Sequence, residues 1–399
     1  MKKFVFTVLS FFFSLHTFAF SGDSLQISLL TVLPWSDEVY TIYGHTAIRV
    51  CNSSDNSDLV FNYGTFDSNK PNFIYHFVRG ETDYYLDAYE YETFIYIYQR
   101  ANATVVEQVL NLQPEEKEEM LRMLFINLQQ ENRGYRYNFL FDNCTTRPRD
   151  IIEKIVGGHI TYPPQQNPIT FRMLIHEYNK SYPWMLFGID LLIGNGADSI
   201  ISFRQEMFLP KKLMNALDAA YSNDGSEQRS IVSSTRLIMQ SIAKYEDSKI
   251  SSFNPMKTGI ILLIHASVFG ICGIIYKRKF RIFFGLIYLQ ATLIGLLVWF
   301  VALFSVHPCT FPNLNMYFFH PFYLIAFIGY ILPKTHRVVT WFHWINCIFL
   351  PVFLIAWPFI LQDLNNANIP YILCLWIGSG VWLMVDGKTR TAQVLIDKK

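Results

Sequence analysis

Apolar and polar positions follow two regimes along the chain, with a break near residue 250. Before the break, "SLQISLLTVLP", "YTIYGHTAIRVC" and "DLVFNYGTFD" read as strands. The stretch "YYLDAYEYETFIYIYQRANATVVEQVLNL" is dense in aromatic and β-branched residues and predicts further strand. "QPEEKEEMLRMLFINLQQENR" has helical spacing with acidic residues in its first turn. "YRYNFLFDNC" reads as extended up to Cys144, and "TRPRDIIEKIVGG" as a helix closed by Gly157 and Gly158. "QNPITFRMLIHEYNKSYPWMLFGIDLLIGNGADS" predicts helix and then loop, and "EMFLPKKLMNALDAA" a short helix. The polar linker "YSNDGSEQR" precedes a last strand-like stretch. No internal repeat is present, and the pattern is that of an α+β domain.

After the break come five apolar runs, at 258–276, 282–304, 316–332, 341–361 and 370–385. The first two are long enough to span a bilayer, and the third and fifth are short. Lys277, Arg278, Lys279 and Arg281 follow the first run, Lys334 and Arg337 the third, and Lys388, Arg390, Lys398 and Lys399 the fifth. The other two loops carry no lysine or arginine, so all basic loops fall on one side, the cytoplasmic side by the positive-inside rule. Five spans with the amino terminus outside satisfy this pattern. At the extreme amino terminus, "MKKFVFTVLSFFFSLHTFAFSGDS" has the form of a secretory signal peptide, the alternative being an uncleaved anchor helix. The expected organisation is a signal peptide at 1–21, an exported domain at 22–250, and an all-α transmembrane bundle of about five helices at 251–399.

Composition agrees. Apolar residues make up 51% of the 399 positions and charged residues only 16%, and the net charge of +1 leaves no footprint for nucleic acid. Six cysteines are present, of which only Cys51 and Cys144 fall in the exported segment. An exported location permits a Cys51–Cys144 disulfide. The competing reading makes Cys144 a thiolate nucleophile: it falls where a helix begins, and unpaired N–H groups there favour a thiolate and can hold an oxyanion. A nucleophilic cysteine needs a base, usually histidine. The exported segment offers His45, His76, His159 and His176, and His45 follows Gly44 within a strand pattern, where a small neighbour allows close approach. No metal-ligand spacing, GxSxG elbow or phosphate loop appears.

In order, "YGHTAIRV", "FNYGTFD", "FVRGETDYYL", "NFLFDNCTTRPRD", "DLLIGNGADS" and "SVHPCTFPNLN" resemble the Lnb-type lipoprotein N-acyltransferases, over almost the whole mature chain. More remotely, histidine, then a polar strand residue, then Asn-Cys is similar to the permuted papain-like thiol enzymes (NlpC-like and lecithin–retinol acyltransferase-like). The resemblance implies an α+β periplasmic domain of that permuted papain-like type on a membrane bundle. It implies Cys144 as nucleophile, His45 as base and Asn62 as the residue that orients the base, although relatives often carry a second histidine there. It further implies an enzyme of the bacterial inner membrane. That enzyme takes an acyl chain from a membrane phospholipid as a Cys144 thioester and passes it to the α-amino group of a diacylated lipoprotein, with no cofactor.

Other residues carry paired readings. Tyr43, two positions before His45 on the same strand face, either bonds the site or packs. Arg147 and Asp150, one helical turn apart, form a local pair or contact substrate. Arg79 is a surface arginine or a phosphate contact. His307 and Asn313, in the outer loop between the second and third runs, serve the loop or cover an acyl channel. "WMLFGIDLLIG" lies on the membrane or packs in the core. Two rival functions remain: a membrane-anchored cysteine hydrolase of lipids or peptides, and a non-enzymatic sensor or assembly factor.

Overall fold

The computed structural model describes residues 24–35, 41–223, 228–242, 253–332 and 336–396, with the side chains of all of these but 336 and 386–396. The proposed signal peptide lies outside the described residues.

The first domain is built on one antiparallel sheet. Its strands are β1 (Leu25–Val32), β2 (His45–Asn52), β3 (Ser57–Thr65), β4 (Asp83–Glu90), β5 (Val105–Leu110), β6 (Gly134–Arg136) and β10 (Val232–Met239), in the order β10-β5-β1-β2-β3-β4-β6. A second sheet joins β7 (Ile160–Thr161), β8 (Tyr221–Asn223) and β9 (Gln228–Ser230). Alternation along β1 sends Leu25, Ile27 and Leu29 to one face and Leu30 and Val32 to the other. Helices α3 (Pro114–Leu128), α4 (Thr146–Ile155) and α8 (Pro210–Asp218) cover the first face through Met120, Leu124, Ile152, Leu213 and Leu217. Helix α3 starts at a capping box, where the Gln113 N–H donates to Glu116 Oε2 at 2.6 Å.

Two segments depart from the sequence pattern. Tyr91–Arg100 is a helix, α2, although its residues favour strand. Phe94 and Tyr98, four apart, are its buried residues, and they cover the second face against Leu30, Val32 and Val105. Burial of one helical stripe outweighs β-propensity here. Phe73–Arg79 forms a short helix, α1, with no buried residue.

Helices α5 (Phe171–Asn179), α6 (Pro183–Leu192) and α7 (Phe203–Glu206) lead toward the second domain. That domain comprises α9 (Pro255–Ile275), α10 (Arg281–Phe304), α11 (Asn315–Phe318), α12 (Tyr323–Ile331), α13 (His336–Ala356) and α14 (Asn368–Ile396). Among the described residues four helices, α9, α10, α13 and α14, are long and apolar enough to cross a membrane. The expected third span is broken: it consists of α11 and α12, neither of span length, separated by the His320-Pro321 turn. The broken pair nevertheless returns the chain along α10, since Gly295 meets His320 while Gly285 meets Tyr330 and Ile331. Helix α14 then runs parallel to α9, with Gly259 against Pro370 and Gly270 against Ile377 and Val381. Glycines let these backbones approach where lipid supplies no hydrophobic drive.

The two domains are joined by a buried polar junction. Asp190 of α6 accepts from Arg172 Nη1 at 2.9 Å and Asn365 Nδ2 at 2.8 Å, and lies 2.8 Å from His176 Nε2. Asp198 completes the pairing of Arg172 at 2.6 Å. Asn315 donates to the Asp190 carbonyl and Asn313 to that of Leu191. Buried charges with this many partners are strongly coupled to the geometry around them. Helix α6, the apolar "WMLFGIDLLIG" segment, packs Phe187 and Leu191 into the core of the helical domain.

Candidate active site

Cys144 sits in a corner fixed on both sides. After β6 the chain turns back on itself through the Asn138–Asp142 bridge, with Asn138 Oδ1 accepting from the Leu140 and Phe141 N–H groups. Asn143, directly before the cysteine, is buried and fully bonded. Its Oδ1 accepts from the N–H groups of Thr145 (2.7 Å) and Thr146 (2.9 Å), and its Nδ2 donates to the carbonyls of Phe139 and Phe208. The Asn143 side chain thus takes the free N–H groups at the start of α4. This corrects the expectation that those groups hold an oxyanion. The Cys144 N–H makes no hydrogen bond among the described residues.

His45 opens β2 directly after Gly44, which has a φ of +82 and lies so close to β1 that a Cβ would meet the Val32 carbonyl at 2.5 Å. Strand β2 pairs with β1 along its whole length but with β3 only from Ile48 onward. Its first residues are therefore free of β3, and the Thr46 N–H donates to the Cys144 sulfur. On the far side β3 carries an irregularity between Asn62 and Thr65. Gly64 lies in it, and a Cβ there would sit 3.3 Å from Cys144 Cβ and 4.0 Å from His45 Cε1. The absent side chain leaves space between Cys144 and His45.

His45 Nε2 lies 2.5 Å from Asn62 Oδ1. An amide oxygen only accepts, so Nε2 carries the proton and Nδ1 is the atom left to take one from the thiol. Asn62 in turn is hydrogen-bonded to the hydroxyl of Tyr89, whose pKa burial pushes up to about 12. Tyr89, one strand over, thereby turns the Asn62 oxygen toward the histidine. Burial opposes charge on both His45 and Cys144, yet their mutual attraction and hydrogen bond prevail: the imidazole pKa is raised and the thiol pKa is lowered. Each side chain thus favours the charged form of the other. Both residues are half-buried.

Tyrosines line the rest. Tyr98 stacks on the His45 ring at 6.3 Å. The Tyr135 hydroxyl borders the Gly64 space, is buried, and has no partner among the described residues. Burial raises its pKa far above the usual phenol range, which keeps it a proton donor. Arg147 lies 3.6 Å over the Tyr135 ring and grips Asp142 with two bonds of 2.6 and 2.8 Å. Its partner is therefore Asp142 rather than Asp150, which pairs with Arg149 and Arg204.

The structure brings together His45, Asn62 and Cys144, with Arg147 at the edge. Tyr43 lies in a 3-10 turn, Thr41–Tyr43, not on the strand, and its hydroxyl accepts from Asn179 at 2.8 Å. Arg79, His307 and Asn313 stand elsewhere. Arg79 ends α1 and pairs with Glu81 at 2.6 Å. His307 Nε2 bonds the Phe77 carbonyl at 2.7 Å. Asn313 is buried in the domain junction, where its oxygen accepts from Asn315 and Gln362. Cys51 and Cys144 are both free thiols, so the disulfide alternative is not realised. Among the described residues no group of three or more histidine, cysteine or acidic side chains could hold a metal. Gly64, Tyr89 and Tyr135 are the site residues that sequence reasoning did not single out; only "YGT" ending a strand pattern hinted at the first.

Residues 13–177 match the family model described as the Lnb N-terminal periplasmic domain, and residues 246–390 match the one described as the Lnb transmembrane domain. His45, Asn62 and Cys144 all fall in the first match. No curated protein and no solved structure matches the chain.

Proposed function

The chain belongs to the Lnb-type family, and from that premise we propose that it is a thiol acyltransferase of the inner membrane that N-acylates lipoproteins from a phospholipid donor. The observation that carries this reading is the interacting Cys144–His45 pair, with Asn62 bonded to the imidazole, in a domain joined to the membrane helices through hydrogen bonds of Asn313, Asn315 and Asn365.

The chemistry follows atom by atom. The Cys144 thiolate attacks an ester carbonyl of the phospholipid, and the carbonyl oxygen becomes an oxyanion. The Cys144 N–H and the protonated Tyr135 hydroxyl are the donors available to it. As the tetrahedral intermediate collapses, the C–O bond breaks and the proton on His45 Nδ1 passes to the leaving lysophospholipid oxygen. A Cys144 thioester remains. The α-amino group of a diacylglyceryl-cysteine lipoprotein then attacks it, Nδ1 takes the amine proton, and the amide forms as the thiolate leaves. Asn62 keeps Nδ1 aimed at sulfur through both halves, and no cofactor takes part in this route.

The test is mass spectrometry of a lipoprotein amino terminus from cells whose only copy of the gene encodes the wild-type chain or Cys144→Ala. The reading predicts a triacylated terminus in the first and a diacylated one in the second, with equal amounts of inserted protein. A triacylated terminus with well-expressed Cys144→Ala contradicts it.

A further inference from the structure

Helix α1 belongs to no core. None of its residues is buried, and Ile74, Tyr75 and Phe77 are 77%, 49% and 49% exposed. Its position is nonetheless fixed, because it is fastened to the end of a membrane span. Directly after α10, Ser305 Oγ donates to the Val78 carbonyl (2.9 Å), the Val306 N–H to that of Arg79 (2.8 Å), and His307 lies against that of Phe77 (2.7 Å). Gly80, with φ of +71, makes this approach possible, since a Cβ there would meet the His307 nitrogen at 2.9 Å.

The span sets the depth of the helix. Helix α10 has 24 residues and starts at the basic Lys277–Arg281 loop. At about 1.5 Å per residue it is about 36 Å long, against a hydrocarbon core of about 30 Å. Its last turn therefore ends at the opposite interface, and α1 is held at that level. Tyr75 packs on Phe300 of the span, and the exposed face of α1 continues into the exposed Leu303, Phe304 and Val306. An apolar face continuous with the lipid-facing side of a span matches the surface of a bilayer.

The same helix leads inward. Phe77 stacks on Phe73 (6.1 Å), Phe73 on Phe66 (5.6 Å), Phe66 meets Tyr84 (5.0 Å), and Tyr84 stacks on Tyr137 (4.2 Å). Tyr137 and Cys144 pack against the same hydrophobic core. This row of rings runs from the interface past the end of β3 toward the core that Cys144 packs against.

We propose that α1 is the lipid portal of the enzyme: it rests in the outer leaflet of the membrane, and a glycerophospholipid leaves the bilayer beside it, its acyl ester passing along the Phe77–Phe73–Phe66–Tyr84–Tyr137 row to Cys144. The inference rests on the acyltransferase reading, and the experiment separates the two. The full-length protein is reconstituted in vesicles of phosphatidylethanolamine and phosphatidylglycerol with a labelled acyl chain. Acyl transfer to Cys144 from these lipids is compared with transfer from a water-soluble short-chain thioester. For Ile74→Glu the ratio of the two rates should fall at least tenfold, and for Ile74→Leu it should stay at the wild-type value. Independently of activity, p-benzoylphenylalanine replacing Ile74 should photocrosslink to phospholipid. A wild-type ratio in Ile74→Glu, or no lipid crosslink at position 74, overturns the portal. A wild-type chain that takes an acyl group from neither donor overturns the acyltransferase reading itself.

Discussion

Gly64→Ala tests whether the site depends on an empty space between its two reacting residues. The new methyl would lie 3.3 Å from Cys144 Cβ and 4.0 Å from His45 Cε1, on a backbone with φ of +95. That φ is costly for any residue with a Cβ, by about 1–3 kcal/mol. The chain has two ways to respond. It can keep the backbone and push Cys144 away by a few tenths of an ångström, against an Asn143 network that holds the corner by four hydrogen bonds from its side chain. Or it can relax the irregularity in β3, which carries Asn62 and through it the imidazole. Either response misaligns sulfur and base, and a misplacement approaching 1 Å costs about 10²-fold in rate. Single-turnover acylation of Cys144, followed by intact-protein mass spectrometry, should slow by between about 10-fold and 10²-fold, with a loss of about 1–3 kcal/mol in stability. Gly134→Ala, where a Cβ meets nothing within 4 Å, is the control and should behave as wild type. Acylation by Gly64→Ala within about twofold of wild type, a factor worth only about 0.4 kcal/mol, refutes the packing argument.

Alkylation of Cys144 by iodoacetamide reports the ion pair directly. The thiol pKa is lowered, so the wild-type rate should persist as pH falls below the ordinary thiol range and decline only through the lowered value; in His45→Ala burial is opposed only by the hydrogen bonds from Thr145 and the Thr46 N–H, and the decline should begin at a higher pH than in wild type. Tyr135→Phe should slow acylation by about 10²-fold, the loss expected for one oxyanion donor, while leaving alkylation unchanged; equal loss in both assays would make Tyr135 structural instead. Asp190→Ala leaves Arg172, His176 and Asn365 without a shared acceptor, and should cost about 3 kcal/mol in unfolding experiments and uncouple the melting of the two domains.

Where periodicity and burial agree, the pattern of the chain already carries the fold. Strands β1 and β3 and helix α3 follow from their apolar spacing and, for α3, from the acidic residues of its first turn. Helix α2 does not, because its aromatic residues favour strand and only the sheet face beneath Phe94 and Tyr98 decides the matter. The third apolar run looked continuous because hydropathy does not register a break at His320-Pro321 between two helices that still return the chain along α10. In the candidate site, Cys144 at a helix start and His45 beside a glycine could be picked out from the residues, whereas Asn62 came only from the resemblance; the structure brings the three side chains together. Tyr89 and Tyr135 were not legible, since 23 tyrosines offer no way to choose among them. His307 and Asn313 lie in a polar loop that invites a functional reading, yet their bonds go to the α1 carbonyl of Phe77 and to the domain junction.

The central claim is a covalent acyl group on Cys144. Purified protein incubated with labelled phospholipid and no amine acceptor should accumulate one acyl chain, located on Cys144 by peptide mass spectrometry and released by neutral hydroxylamine, as a thioester requires. Adding a diacylated lipopeptide with a free α-amino group should move the label to that amine, and an N-blocked lipopeptide should leave it in place. N-acylation that proceeds while no label ever appears on Cys144 contradicts the account, and rapid release of free fatty acid without any acceptor would make the protein a hydrolase.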